Sequence, residues 1–368
     1  MLDEPAQPIF GGVFGLETPE GEGRAPFHGT FTRYFLSARC ALFALIQVHK
    51  PKAVWLPSYL CPALAAPFVE SEIAVRYYPL DENLEAGSQR WIEKVRPGDF
   101  AVVIHYFGFP NRSFPASEVT RRGAVLIEDA SQALFLEQQF PESAGIIYSP
   151  RKFLGVPDAG VLVAPEQIVM HEPAPPPEKW WERAVEVSRM RREFDSTGRP
   201  SDWFARFQRV EAEYPVGLYG ASDLSRNILD RFDYAAAAER RRKNYSTLLQ
   251  LAGGYAMFPE LPSRIVPLGF PVRISPDIRE LVLRRLHSLK VYAPVHWRID
   301  DLVPAEFTAS HTLAQSTLTL ICDQRCSASN MEREAGEFLA IVAAAHELSR
   351  EKRSGDRFPS RETRLPLD

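Results

Sequence analysis

The chain has 368 residues, 45% hydrophobic and 24% charged, which is ordinary for a water-soluble globular protein and long enough for a large core and two domains. A formal net charge of −4 excludes a general attraction to nucleic acid or to an anionic membrane. No apolar run reaches transmembrane length, the acidic, proline-broken start MLDEPAQPIF does not read as a signal peptide, and Cys40, Cys61, Cys322 and Cys326 make neither a disulfide framework nor a zinc spacing, so reduced cytoplasmic thiols are expected.

Residues 1–34 are rich in Gly and Pro, lack a sustained period and read as an irregular arm. Ser37 is a good N-cap for a helix over Ala38–His49, with apolar residues at 41, 42, 45 and 46. A helix that begins just after a serine offers free N–H groups and a positive dipole end, hence an anion site at Ser37, Ala38 and Arg39. Ala53–Leu56 and Ile73–Tyr78 are strand candidates, and Phe100–Ile104 is a continuous apolar run suited to a parallel strand covered on both faces. His105 stands at the end of that run, and Ser117–Arg122 is a short helix.

The segment Gly123–Val163 organises the rest. Ala124–Ile127 is an apolar run of strand length that ends in Glu128 and Asp129, with Gln132 shortly after. A second apolar patch, Gly145–Tyr148, leads into Ser149-Pro150-Arg151-Lys152, and the turn Asp158-Ala159-Gly160 leads into Val161–Val163. An acid at the carboxyl end of a buried strand sits where open α/β sheets place ligand groups, and a lysine after the next strand reaches the same crevice. One chemistry uses an acid and a lysine in that relation. Pyridoxal 5'-phosphate needs a lysine amine as its tether and an Asp to keep its ring nitrogen protonated, and Lys gives up a proton more readily than Arg. Asp129 and Lys152 suit these roles; in isolation the same pair would read as a helix cap and a solvated lysine.

Residues 166–215 break the strand–helix rhythm with Pro173–Pro177 followed by two helical patterns, Glu178–Phe194 and one around Trp203–Phe207. They read as a peripheral helical insert, with a lid or a dimer contact as alternatives. A long helical pattern runs from about Ser222 to Ala252 with the stripe Leu224, Ile228, Leu229, Phe232 and Ala235, and its basic run Arg240–Lys243 reads as a solvated face. Strand, helix, strand, strand and helix then follow over 253–348, as Val266–Val272, Ser275–Leu289, Val291–Trp297, Leu318–Ile321 and Ser329–Leu348, and residues 349–368 read as a charged tail. The fold class expected is α/β: a large domain over 35–252 with a mostly parallel sheet flanked by helices, carrying the 166–215 insert, and a smaller C-terminal α+β domain.

The residues Glu128–Ala133, Ser149–Lys152 and Asp158–Gly160 make the chain resemble the DegT-type sugar aminotransferases, which have the pyridoxal-phosphate fold of aspartate aminotransferase. The resemblance spans about Phe35–Glu334 and is poor over 166–214. It implies an aminotransferase that moves an amino group from a small glutamate-like donor to a keto acceptor, expected to be a nucleotide-linked keto sugar. It implies cofactor contacts at Ser37, Ala38, Arg39, Tyr59, His105, Asp129, Gln132, Ser149 and Lys152, with Asp129 and Lys152 catalytic. The family's Ser-Gly-Thr at the phosphate reads Ser37-Ala38-Arg39 here, and Ile147 stands where its usual serine lies, so the phosphate cup differs. For the aromatic that stacks on the cofactor ring, residue matching points to Cys61, and Tyr59 two residues earlier is the side chain able to serve. His296-Trp297 falls where the family has a tryptophan near the substrate mouth, and Ser222 where it has a residue that reaches the neighbouring subunit's cofactor, so a homodimer is expected. A branch of the family that dehydrates keto sugars has histidine in place of the lysine, which Lys152 argues against; a non-catalytic regulator on the same fold is the other alternative.

Overall fold

The computed structural model describes residues 9–19, 21 and 23–355; the rest of the expected arm and the end of the expected tail lie outside the described residues. In chain order the elements are β1 (Phe10–Gly11), β2 (Phe31–Phe35), α1 (Ala38–His49), β3 (Ala53–Pro57), α2 (Pro62–Glu70), β4 (Ala74–Tyr78), β5 (Phe100–Ile104), α3 (Ala116–Arg121), β6 (Val125–Ala130), β7 (Gly145–Tyr148) and β8 (Gly160–Ala164). Then come α4 (Glu178–Thr197), α5 (Trp203–Ala212), α6 (Asp223–Arg231), α7 (Tyr234–Ala252), β9 (Phe270–Arg273), α8 (Pro276–Ser288), β10 (Val291–Tyr292), α9 (Thr308–Ser316), β11 (Thr317–Leu320) and α10 (Ala328–Gly355).

Seven strands form one sheet in the order β2-β8-β7-β6-β5-β3-β4. The pairs from β4 through β3, β5 and β6 to β7 are parallel, while β8 and β2 continue the sheet antiparallel. β3 and β5 are buried at every position, as strands covered on both faces must be. The chain leaves β3 for β4 on one side and returns to β5 on the other, so the strand order reverses between them, and open sheets bind ligands outside the carboxyl ends at such a reversal. Two small sheets, β1 with β10 and β9 with β11, complete the strands. The main hydrophobic cluster runs without a break from the large sheet into the C-terminal elements, joining Val102 and Leu126 to Phe270, Leu318 and Phe338. Among the described residues no helix is long and apolar enough to cross a membrane, and all four cysteines are unpaired.

The architecture is the α/β one expected, with several local differences. The irregular arm gives way at Phe31 to an edge strand that pairs with β8, and Phe10–Gly11 pairs with Val291–Tyr292. The long helical pattern after Ser222 is two helices. It breaks at Phe232, where Asp233 accepts the Ala236 N–H at 2.9 Å and restarts the chain as α7. The strand expected over Val291–Trp297 lasts only two residues, and the last helix continues to Gly355. The basic run is not uniformly solvated: Arg241 is buried and donates to the carbonyls of Pro267, Leu268 and Phe153 and to Gln324 Oε1, which ties α7 to three neighbouring segments.

Candidate active site

A cavity of about 220 Å³ opens at the carboxyl ends of β5, β6 and β7. Apolar side chains at its base come from these three strands, namely Val102, Ile104, Ile127 and Ile147. Asp129, Ser131, Gln132, Ser149, Arg151 and Lys152 also line it, and so do Ser37, Ala38 and Arg39 at the start of α1. Parallel pairing explains the convergence: Ile104 lies beside Asp129, and Asp129 beside Ile147, so groups from three separate segments end at one level.

Asp129 is held at the strand end by its own loop. Its Oδ1 accepts the Ser131 N–H at 2.8 Å, and its backbone carbonyl accepts the His105 N–H at 3.0 Å. Gln132 is 1% exposed, and its Oε1 accepts the Phe107 N–H at 3.0 Å. Its Nε2 is buried without a partner, an arrangement that calls for an acceptor from a ligand. Lys152 stands on a single helical turn, Pro150–Lys152, right after β7. Among the described residues its amine makes no hydrogen bond or ion pair.

At the other end of the cavity Ser37 caps α1, its Oγ accepting the Cys40 N–H at 3.2 Å. The cap is fixed from behind by close packing: a Cβ on Gly160 would lie 2.0 Å from the Ser37 carbonyl carbon, so only glycine lets β8 approach. Ala159 N–H donates to Leu36 O at 2.9 Å, and the buried Asp158 accepts the Ser222 N–H at 3.3 Å. Burial pushes the Asp158 carboxyl up. The wall beyond comes from the insert: Glu211 lines the cavity and pairs with Arg151, Oε1 to Nη2 at 2.5 Å.

A second cavity, of about 360 Å³, shares Cys61, Arg151, Lys152 and Trp297 with the first. Its other walls include the loop Gly11–Phe14, His296, Thr319 and Asp323. His296 Nδ1 pairs with Thr319 Oγ1 at 2.9 Å. Burial, and then the charge of Lys152, push its imidazole down to about 3, so it is neutral there.

Two expected contacts are placed elsewhere. His105 is fully buried away from the cavity. Its Nδ1 accepts the Asn111 N–H at 3.0 Å, so its proton lies on Nε2 and is donated to Glu128 Oε2 at 2.9 Å. Both ring nitrogens are thus used within the protein, Nε2 tying the end of β5 to β6 and Nδ1 holding the loop at Asn111. Tyr59 does not line the cavity; it is buried against Tyr106 and Trp297, with ring centroids 6.0 and 5.4 Å apart. Cys61 takes the cavity position, and the aromatic that faces both cavities is Trp297. Ser222, expected to reach a neighbouring subunit's cofactor, caps α6 in its own chain, its Oγ accepting the Ser225 N–H at 3.2 Å. Glu211 carries no sequence signal for a place in the site, whereas Arg151 does, standing beside Lys152 right after a strand.

An acid at a strand end, a lysine across the crevice, an unpartnered buried amide donor and a helix N-terminus flanked by two arginines fit pyridoxal phosphate. The fold is that of the DegT-type aminotransferases, on structural likeness. No family model matches the chain, and no match is found among curated proteins. Among solved structures, Spr1654 from Streptococcus pneumoniae, assigned as a sugar aminotransferase, aligns over 88% of each chain at 13% identity with a TM-score of 0.65. The aminotransferase TlmJ from Streptoalloteichus hindustanus aligns over 85% of this chain and 86% of its own at 20% identity and a TM-score of 0.61. Helicobacter pylori PseC, an aminotransferase involved in the biosynthesis of pseudoaminic acid, aligns over 87% and 88% at 14% identity and a TM-score of 0.61. At such identities the likeness establishes the fold.

Proposed function

We propose that this protein is a pyridoxal-phosphate-dependent aminotransferase that moves an amino group from a glutamate-like donor to a keto acceptor. The observation that carries the reading is the meeting of Asp129, Lys152 and the unpartnered Gln132 Nε2 on one cavity. When bound, the cofactor supplies an electron sink for the bond broken at the substrate's α carbon. Asp129 holds a proton on the ring nitrogen. Lys152 would tether the cofactor through its amine and, as general base, would move a proton at the substrate's α carbon. Gln132 donates to a ring substituent. Ser37, Ala38, Arg39 and Ser149 receive the phosphate at the helix N-terminus.

For the acceptor we infer a nucleotide-linked keto sugar. The solved neighbours described as sugar aminotransferases support this, and the second cavity beside Lys152 gives the sugar room. Lysine at 152, where the dehydrating branch has histidine, favours amino transfer. A cytoplasmic homodimer, with one domain over 35–252 and a smaller one over 253–348, completes the proposal. The visible spectrum of the protein loaded with pyridoxal phosphate tests it, followed by a screen of amino donors for bleaching of that band. A loaded protein whose band no amino acid bleaches would contradict amino transfer. Light scattering at assay concentration tests the dimer, and a fully active monomer would contradict it.

A further inference from the structure

On the reading that the cavity holds pyridoxal phosphate, we propose that the α4–α5 insert completes the phosphate end of the site within one chain, with Tyr214 as the residue that positions Arg39 and Arg151 for the anion. Tyr214 follows α5 directly and is buried. Its hydroxyl donates to Leu36 O at 2.9 Å, one residue before the Ser37 cap. Cys40 Sγ in the first turn of α1 reaches Pro215 O at 3.6 Å, and Trp180 of α4 packs edge-on against the Tyr214 ring at 4.6 Å. The end of the insert is therefore bolted to the helix terminus that lines the cavity.

Both arginines lie over the Tyr214 ring, Arg39 at 4.3 Å and Arg151 at 4.9 Å from its centre. Two guanidinium groups gathered on one ring concentrate positive charge at this end of the cavity. The ring face attracts both, and Glu211 takes Arg151 Nη2. Arg151 Nε is left buried without a partner. The walls of the cavity carry Arg39, Arg151 and Lys152 against Asp129 and Glu211, so positive charge is in excess before any ligand enters. A phosphate, with its several acceptor oxygens and its preference for planar guanidinium donors, matches that excess and the unpartnered Nε. Tyr214 acts through the arginines and touches no reacting atom.

The test compares binding of pyridoxal 5'-phosphate with binding of pyridoxal, which lacks the phosphate, by absorbance titration of the full-length apoprotein. Arg39→Gln and Tyr214→Leu are each expected to weaken pyridoxal phosphate binding roughly tenfold or more and to leave pyridoxal unchanged. Tyr214→Phe, which keeps the ring, should retain the wild-type ratio of the two affinities. Equal weakening for both compounds, or an unchanged ratio in Arg39→Gln and Tyr214→Leu, overturns the proposal. If Tyr214→Leu does not fold, hydrogen exchange of the wild-type α5 decides instead: slowing by pyridoxal phosphate and not by pyridoxal supports the proposal, and equal or no slowing overturns it. A wild-type protein that binds both compounds equally defeats this inference alone, whereas one that forms no adduct with either defeats the cofactor reading itself.

Discussion

Gln132 accepts the Phe107 N–H through Oε1 at 3.0 Å, and that bond fixes which way its amide faces. An N–H can meet only the oxygen, so the nitrogen is turned to the other side, where it is buried without a protein partner beside Asp129 and Lys152. An unpaired buried donor costs folding free energy on the order of 1–3 kcal/mol, which a ligand oxygen would recover. Gln132→Glu keeps an oxygen for Phe107 but replaces the donor with a second carboxylate near Asp129. Its affinity for pyridoxal phosphate should fall about tenfold in a fluorescence titration. An unchanged affinity would mean that the amide nitrogen does not meet the ligand.

Asp129→Asn keeps the shape of the strand end and an oxygen for the Ser131 N–H. It should keep cofactor bound but lower turnover by on the order of a hundredfold or more, since one strong electrostatic contribution to the transition state is lost. Steady-state assay beside a measurement of bound cofactor separates the two effects. Near-normal turnover would reduce Asp129 to a loop brace.

The pH dependence of stability has a source outside the site. Glu334 is fully buried; its Oε1 accepts the Ile321 N–H at 2.8 Å, and its Oε2 has no partner. Burial, with smaller contributions from Asp323 and Glu337, pushes its carboxyl from 4.5 up to about 8. Between those values the folded chain holds a proton that the unfolded chain has lost. The contribution of this group is therefore complete below about 4.5 and is lost as pH rises through about 8. Glu334→Gln, neutral throughout, should flatten the fall in stability across that window, a slope of at most about 1.4 kcal/mol per pH unit. Denaturant unfolding of both proteins at several pH values checks this, and parallel curves would contradict it.

Much of the site was legible because it is built from local signals. Ser37 followed by properly spaced apolar residues defines α1, and apolar runs that end in Asp129 and before Lys152 mark strand ends. What was not legible depends on orientation and on distant partners. A histidine at a strand end reads the same whether it faces the crevice or, like His105, turns inward to Glu128. Tyr59 and Cys61 differ by two positions, and only the fold decides that the cysteine meets the cavity. The break at Phe232 is hidden because the apolar stripe continues through it, and the Glu211–Arg151 pair joins residues 60 apart with no pattern to announce it.

The point of cofactor attachment decides whether this cavity is the active site. Pyridoxal phosphate added to the protein, followed by borohydride reduction, proteolysis and mass spectrometry, should place the reduced pyridoxyl group on the peptide that contains Lys152, with Lys152→Ala giving no adduct. An adduct on another lysine, or a protein that takes up no cofactor at all, would contradict the assignment of this cavity.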